Sequence, residues 1–158
     1  MSDAPPRSIP AGRVAGVDYG RRRIGVAICD AERIICSPLC VHQTIGDREA
    51  DAAFFRHLAA AEQIVGFVVG LPIHSDGTDS AMSVEVERFG GWLGRITGLP
   101  IAFHDERYSS REAAGLLAGV GLTRGRKKAR ADAVAAQVVL QSWLESQTHN
   151  ERPQALEG

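Results

Sequence analysis

Three carboxylates stand where a folding chain has little reason to place them: Asp18, Glu106 and Asp132. Asp18 closes the apolar run Val14-Ala15-Gly16-Val17, and a carboxylate beside a strand core is costly unless it has partners or a cation. Glu106 follows the short apolar run Ile101-Ala102-Phe103, with Asp105 beside it. Asp132 is followed at helical spacing by Ala135, Ala136, Val139, Leu140 and Trp143, so it belongs to the apolar face of a helix. Each acid also has an ordinary reading. Asp18 could cap its own turn, Glu106 could pair with Arg107 or Arg111, and Asp132 could sit at a helix N-terminus because the dipole favours it. Brought together, the three would repel one another and rise in pKa unless a cation neutralised them. Hard oxygen donors suit Mg²⁺ or Mn²⁺. Two such ions on shared carboxylates support phosphodiester hydrolysis by metal-activated water.

The elements that must position these acids can be read from hydrophobic periodicity. Arg13 to Tyr19 and Arg22 to Asp30 read as an antiparallel hairpin with a short basic turn. In its second strand Ile24, Val26 and Ile28 face one way and Gly25, Ala27 and Cys29 the other. Both faces are apolar, which predicts a central position in the sheet. Ile34 to Val41 is a third strand, and Ser37-Pro38 within it points to an edge or a bulge. A helix over about 47–62 should bury Phe54, Phe55 and Leu58. Ile64 to Gly70 is a continuous apolar strand covered on both faces. Met82, Val86, Phe89, Leu93 and Ile96 mark an amphipathic helix from about Asp79 to Thr97, which Gly98 and Pro100 end. A short strand, Pro100 to His104, follows. Ser109 and Glu112 have capping-box spacing for a helix to about Gly119. A last helix should run from Lys128 or Ala131 to Glu145.

The order predicts an α/β fold: a ribonuclease-H-like mixed five-stranded sheet, three antiparallel strands and then alternating helices and strands, with helices on both faces. A single domain over 13–145 is expected, with loosely packed tails at 1–12 and 146–158. That topology draws the ends of the first and fifth strands and the start of the last helix toward one edge.

The formal net charge of the 158-residue chain is -1, so any case for nucleic acid must come from local clusters. Two exist. Arg21, Arg22 and Arg23 form the turn after Asp18. Gly121 to Ala131, read as a basic linker, carries Arg124, Arg126, Lys127, Lys128 and Arg130 and no acid, directly before Asp132. With Arg107, these are the candidate phosphate-binding residues. A short basic run is often only a solvated linker; adjacency to the acids is what favours a polyanion. His74 in the loop Gly70 to Thr78, and His104 beside the acids, remain without an assigned role. Cys29, Cys36 and Cys40 fit no zinc spacing and read as reduced thiols in or near strands. No apolar run approaches membrane-spanning length, and the N-terminus is neither a signal peptide nor a transit segment, which implies a cytoplasmic protein with no membrane partner. No long apolar stripe is left over, so a monomer or weak homodimer is expected.

Four stretches together resemble the YqgF (RuvX-like) family of Holliday-junction-resolvase-like nucleases. They are Gly16-Val17-Asp18-Tyr19-Gly20-Arg21-Arg22-Arg23-Ile24-Gly25-Val26-Ala27; Val68-Val69-Gly70-Leu71-Pro72 with Asp76-Gly77-Thr78; Asp105-Glu106-Arg107-Tyr108-Ser109-Ser110; and Lys127-Lys128 with Asp132 and Ala135-Ala136. The resemblance spans Val14 to Leu144. It implies a ribonuclease-H-like fold and makes Asp18, Glu106 and Asp132 the acidic triad and metal ligands, with Asp105 as a further candidate ligand. It also implies processing of the 5′ end of precursor 16S rRNA, with resolution of four-way DNA junctions as the alternative. Resolvases of the RuvC type carry an acid at the end of the strand matching Ile64 to Gly70. Here that place is Gly70, so Glu106 must supply the second ligand from the next strand. Tyr108 stands where Leu or Phe is frequent. Two rivals come from other classes: a non-catalytic RNA-binding factor using the basic loop, and an actin-like ATPase, whose phosphate hairpin Asp18-Tyr19-Gly20 with Gly25 resembles. The second needs two such domains, more than this chain holds.

Overall fold

The hairpin is apolar on both faces, and the rest of the chain is layered onto it. In a computed structural model, residues 8–72, 81–105 and 124–151 are described, with side chains over 131–147 in the last stretch. Strands β1 (Arg13–Asp18) and β2 (Arg23–Cys29) pair antiparallel, with Asp18 opposite Gly25 and Gly16 opposite Ala27. β3 (Cys36–Gln43) extends the sheet antiparallel beyond β2, while β4 (Ile64–Leu71) and β5 (Ile101–Asp105) add parallel strands beyond β1. The described strands form one mixed sheet in the order β3-β2-β1-β4-β5. β3 is an edge strand, and its register slips where Val26 pairs Cys40 but Ala27 pairs Pro38, leaving Leu39 as the extra residue. A proline with no N–H to give the ladder explains both features, as Ser37-Pro38 predicts.

Helices α1 (Arg48–Ala61) and α2 (Ala81–Thr97) cover one face, and α3 (Arg124–Glu151) covers the other. Asp47 caps α1 by accepting from the Glu49 and Ala50 amides. Gly98, at φ +73, closes α2. On the α1/α2 side Ala15, Val17, Ile24, Val26, Phe67 and Val69 meet Phe55, Leu58, Val86, Phe89 and Leu93. On the α3 side Val14, Ala27, Cys29 and Val68 meet Ala136, Val139, Leu140 and Trp143. The two alternating faces of β2 are therefore as expected from its sequence. Phe54 is only half-buried; Ala52 takes its place in the α1 core stripe.

Three expectations are corrected. Gly121 to Ala131 is not a linker throughout: α3 begins at Arg124, since Arg, Lys and Ala are good helix formers even without an apolar stripe. The same helix continues past Glu145 to Glu151. Ile9, within the expected loose tail, packs against Gly66 and the α3-side core. The expected helix after Ser109 lies outside the described residues. All three cysteines are free thiols, and burial pushes the Cys36 thiol up to about 12. No described helix is long and apolar enough to cross a membrane.

Candidate active site

The first half of the site is made by backbones in contact. Gly16 on β1 and Gly25 on β2 face α3, and neither leaves room for a side chain. A Cβ on Gly16 would lie 2.8 Å from the Ala136 carbonyl oxygen; one on Gly25 would lie 2.0 Å from the Asp132 carbonyl oxygen. Asp132 and Ala136 are one turn apart, so two successive turns of α3 rest on two bare strand positions. Gly25 is also the cross-strand partner of Asp18. By strand alternation Asp18 shares the α3 face with Val14 and Gly16. Gly25 thus has the Asp132 backbone against it and Asp18 as its cross-strand neighbour on the same face, and both acids are half-buried.

Arg23 closes the arrangement. Its Nε donates to Asp132 Oδ2 at 2.6 Å, with the two side chains 38% and 25% exposed. Arg23 was expected to contact phosphate; here its guanidinium is drawn onto an acid of the site. A charge-assisted bond of this length orients the carboxylate and offsets its charge. Gln137, one turn and a residue further on, donates from Nε2 to the Cys36 carbonyl at 3.0 Å and ties α3 to the edge strand.

The remaining candidates are distributed as follows. Glu106 and Arg107 lie outside the described residues, as do His74 and Tyr108. β5 delivers the chain as far as Asp105, which pairs Leu71. Asp105 alternates with Ile101 and Phe103, both of which touch α2 at Gly90. It thus belongs to the face away from Asp18, and the described geometry does not join it to the two acids. Arg124, Arg126, Lys127, Lys128 and Arg130 occupy the first turns of α3, immediately before Asp132. His104 lies on the α3 face, where its Nε2 is 2.8 Å from Ser142 Oγ. Burial holds its pKa below the ordinary histidine value, and the nearby Asp105 charge opposes that only in part.

Sequence reasoning treated Arg21, Arg22 and Arg23 as one basic turn. The structure divides them. Arg23 reaches across the α3 face to Asp132, whereas Arg21 turns to the α2 side, where its Nε donates to Glu85 Oε1 at 3.0 Å. Arg22 is exposed between them. Arg21 and Arg22 precede β2, which begins at Arg23, so strand alternation does not govern Arg21 and a run of like charges gives no sign of the division. The roles of Gly16 and Gly25 were also missed. Glycine inside a strand is the available clue to close approach by another backbone.

Among the described residues no group of three or more His, Cys, Asp or Glu side chains is placed to hold a metal ion. Carboxylates such as those of Asp18 and Asp132 have the chemistry of ligands for a hard divalent cation rather than for zinc.

Residues 12–146 match the RuvX family, described as "Holliday junction resolvase". A protein from Rhodopirellula baltica named "Putative pre-16S rRNA nuclease" is 50% identical over 135 residues, covering 85% of this chain and 78% of its own. One of the same name from Dechloromonas aromatica is 40% identical over 140 residues, covering 87% and 94%. Among solved structures, Thermus thermophilus RuvC in complex with a Holliday junction substrate superposes with a TM-score of 0.53 at 15% identity, over 87% of this chain and 96% of that one. The yeast mitochondrial resolvase Ydc2 superposes with a TM-score of 0.51 at 12% identity, over 95% and 85%. These two show a shared ribonuclease-H-like fold. With nearly the whole domain matched in sequence and the same sheet beneath it, the chain belongs to the RuvX family.

Proposed function

We propose that this protein is a divalent-metal-dependent endonuclease acting on structured RNA, with the 5′ end of precursor 16S rRNA as its substrate. The observation that supports this reading is that Gly25 pairs with Asp18 and has the Asp132 backbone packed against it. Membership of the RuvX family and the names of its relatives support it. Asp18, Asp132 and Glu106 would hold Mg²⁺ or Mn²⁺. A bound ion would supply Lewis-acid stabilisation of the phosphoryl oxygens and an activated water. The chain's own residues do the rest. Close backbone packing at Gly25 fixes where the Asp132 main chain sits beside the strand pair that carries Asp18. Arg23 restrains the Asp132 carboxylate and stands ready to meet a phosphate once Asp132 turns to a metal. Arg22, Arg107 and the basic start of α3 neutralise flanking phosphates.

Cleavage of precursor 16S rRNA with and without Mn²⁺, for the wild type and Asp18→Asn, tests the reading. Asp18→Asn should remain folded and lose at least about a hundredfold in rate, the scale on which a positioned group matters. Wild-type activity in that variant on a verified substrate would overturn the site. A second reading, resolution of four-way DNA junctions, is favoured by the description of the family. It requires two active sites and therefore a dimer. Junction DNA run beside the RNA, with the oligomeric state measured in the same buffer, separates the two.

A further inference from the structure

On the α1/α2 face, across the sheet from Asp18 and Asp132, lies an open cleft of about 470 Å³, within the range of sites that hold a nucleotide-sized group. Three arginines line it, one from each of three elements: Arg21 from the hairpin turn, Arg48 from the start of α1 and Arg88 from α2. Two acids, Glu85 and Asp51, also line it, and both are already engaged. Glu85 accepts from the Tyr19 hydroxyl at 2.8 Å and from Arg21 Nε at 3.0 Å. Asp51 is bonded to His42 Nε2 through one oxygen and accepts from the Thr44 hydroxyl through the other, each at 2.7 Å. The arginines are not consumed in the same way. Arg21 uses only its Nε on Glu85. Arg48 lies over the Trp92 ring at 5.8 Å, and neither it nor Arg88 has a carboxylate partner among the described residues. Arg21 and Arg48 each line the cleft while anchored by one contact, the kind of arrangement from which planar, bidentate phosphate recognition is built.

The cleft also connects with the acidic site. Arg21, Arg22 and Arg23 are consecutive; the first belongs to this cleft, the second is exposed at the turn, and the third bonds Asp132. A basic path thus runs around the hairpin tip from one face of the sheet to the other.

We propose that this cleft is a second nucleic-acid contact, binding the backbone phosphates of a single-stranded flank of the substrate whose cut bond lies at Asp18 and Asp132. It rests on the nuclease reading for the identity of the strand. The contact is electrostatic and sequence-independent, and it sets the direction in which the strand leaves the site.

The test is fluorescence anisotropy with metal chelated, so that nothing is cut, using a labelled RNA hairpin with and without a single-stranded extension. Arg88→Gln should bind the extended hairpin about three- to tenfold more weakly, with a log–log salt slope smaller by about 0.7. The blunt hairpin should be affected much less. Glu85→Gln removes a negative charge and releases Arg21, so it should tighten binding of the extended RNA. These opposite signs cannot both come from partial unfolding, which thermal melts of the two variants monitor. Unchanged affinity and slope in both variants would overturn the proposal. So would equal competition by free nucleotide and by the extension, or an effect on self-association in place of RNA affinity. If wild type binds the extended RNA with these dependences but never cuts it with Mn²⁺ present, the nuclease reading fails while the cleft stands. Cleavage with no effect of either variant on affinity gives the reverse.

Discussion

Replacing Gly25 by alanine is the most direct probe of how the site is held. The new Cβ would lie 2.0 Å from the Asp132 carbonyl oxygen, 2.4 Å from its carbonyl carbon and 3.1 Å from the Ala133 nitrogen. All three are backbone atoms of α3, so no rotamer change can relieve the clash. The helix around Asp132 must lift until the contact reaches the 3.4 Å at which ordinary van der Waals packing begins, a displacement of well over an ångström. Overpacking of this kind costs about 3 kcal/mol at the upper end, and the lower chain entropy of alanine returns only about 0.5–1 kcal/mol. A net loss of about 2 kcal/mol in urea unfolding is expected. The effect on cleavage should be larger than on stability, because the atoms that move carry Asp132; a misplacement of about 1 Å costs on the order of a hundredfold in rate. Gly90→Ala is the control. Its Cβ would meet Phe103 Cζ at 2.4 Å, but that ring is 40% exposed and free to swing. The gain of about 1 kcal/mol from replacing glycine within a helix offsets the adjustment, and stability should change little. Single-turnover cleavage under saturating RNA, read beside the urea midpoint, decides the matter. A Gly25→Ala protein with wild-type midpoint and wild-type rate would refute the claim that backbone contact sets the position of Asp132.

Other outcomes follow from named contacts. Arg23→Gln removes a half-exposed ion pair and should cost less than about 1 kcal/mol; freed from its guanidinium partner, Asp132 should reach half-maximal cleavage at a lower Mn²⁺ concentration, as a metal titration would reveal. Burial depresses the pKa of His104 in the folded state, so its contribution to stability is present above the unfolded value of about 6.5 and is lost as pH falls through the folded value. Urea midpoints should accordingly drop below about pH 6.5, and His104→Gln should flatten that decline.

Much of this was legible in the chain. Strand faces follow from alternation, as Ile24 and Val26 against Ala27 and Cys29 make plain. The edge position of β3 follows from Pro38, and the inward face of Asp132 from the apolar spacing behind it. What was not legible involves meetings between distant segments. No local pattern says that Gly25 lies beneath the Asp132 carbonyl, because the contact joins the second strand to the last helix. The α2-face cleft is assembled from Tyr19, Arg48, Glu85 and Arg88, residues that form no motif in sequence. Charged helix turns lack the apolar period that betrays a helix, which is why the basic stretch before Asp132 looks like a linker in sequence although α3 begins at Arg124. Glu106, the acid expected from the neighbouring strand, stays an inference from sequence; the described part of β5 brings the chain to the residue before it.

The slipped register of β3 has a bearing on how the protein survives in a crowded solution. Leu39 within β3, and Ile34 and Ile35 just before it, are exposed, and an open margin with apolar side chains is a template onto which another chain can add a strand. Pro38 withholds a donor there, and the extra residue Leu39 twists the margin away from a flat profile. The chain thus carries, at the side of the sheet farthest from β5, a built-in obstacle to fibrous self-assembly.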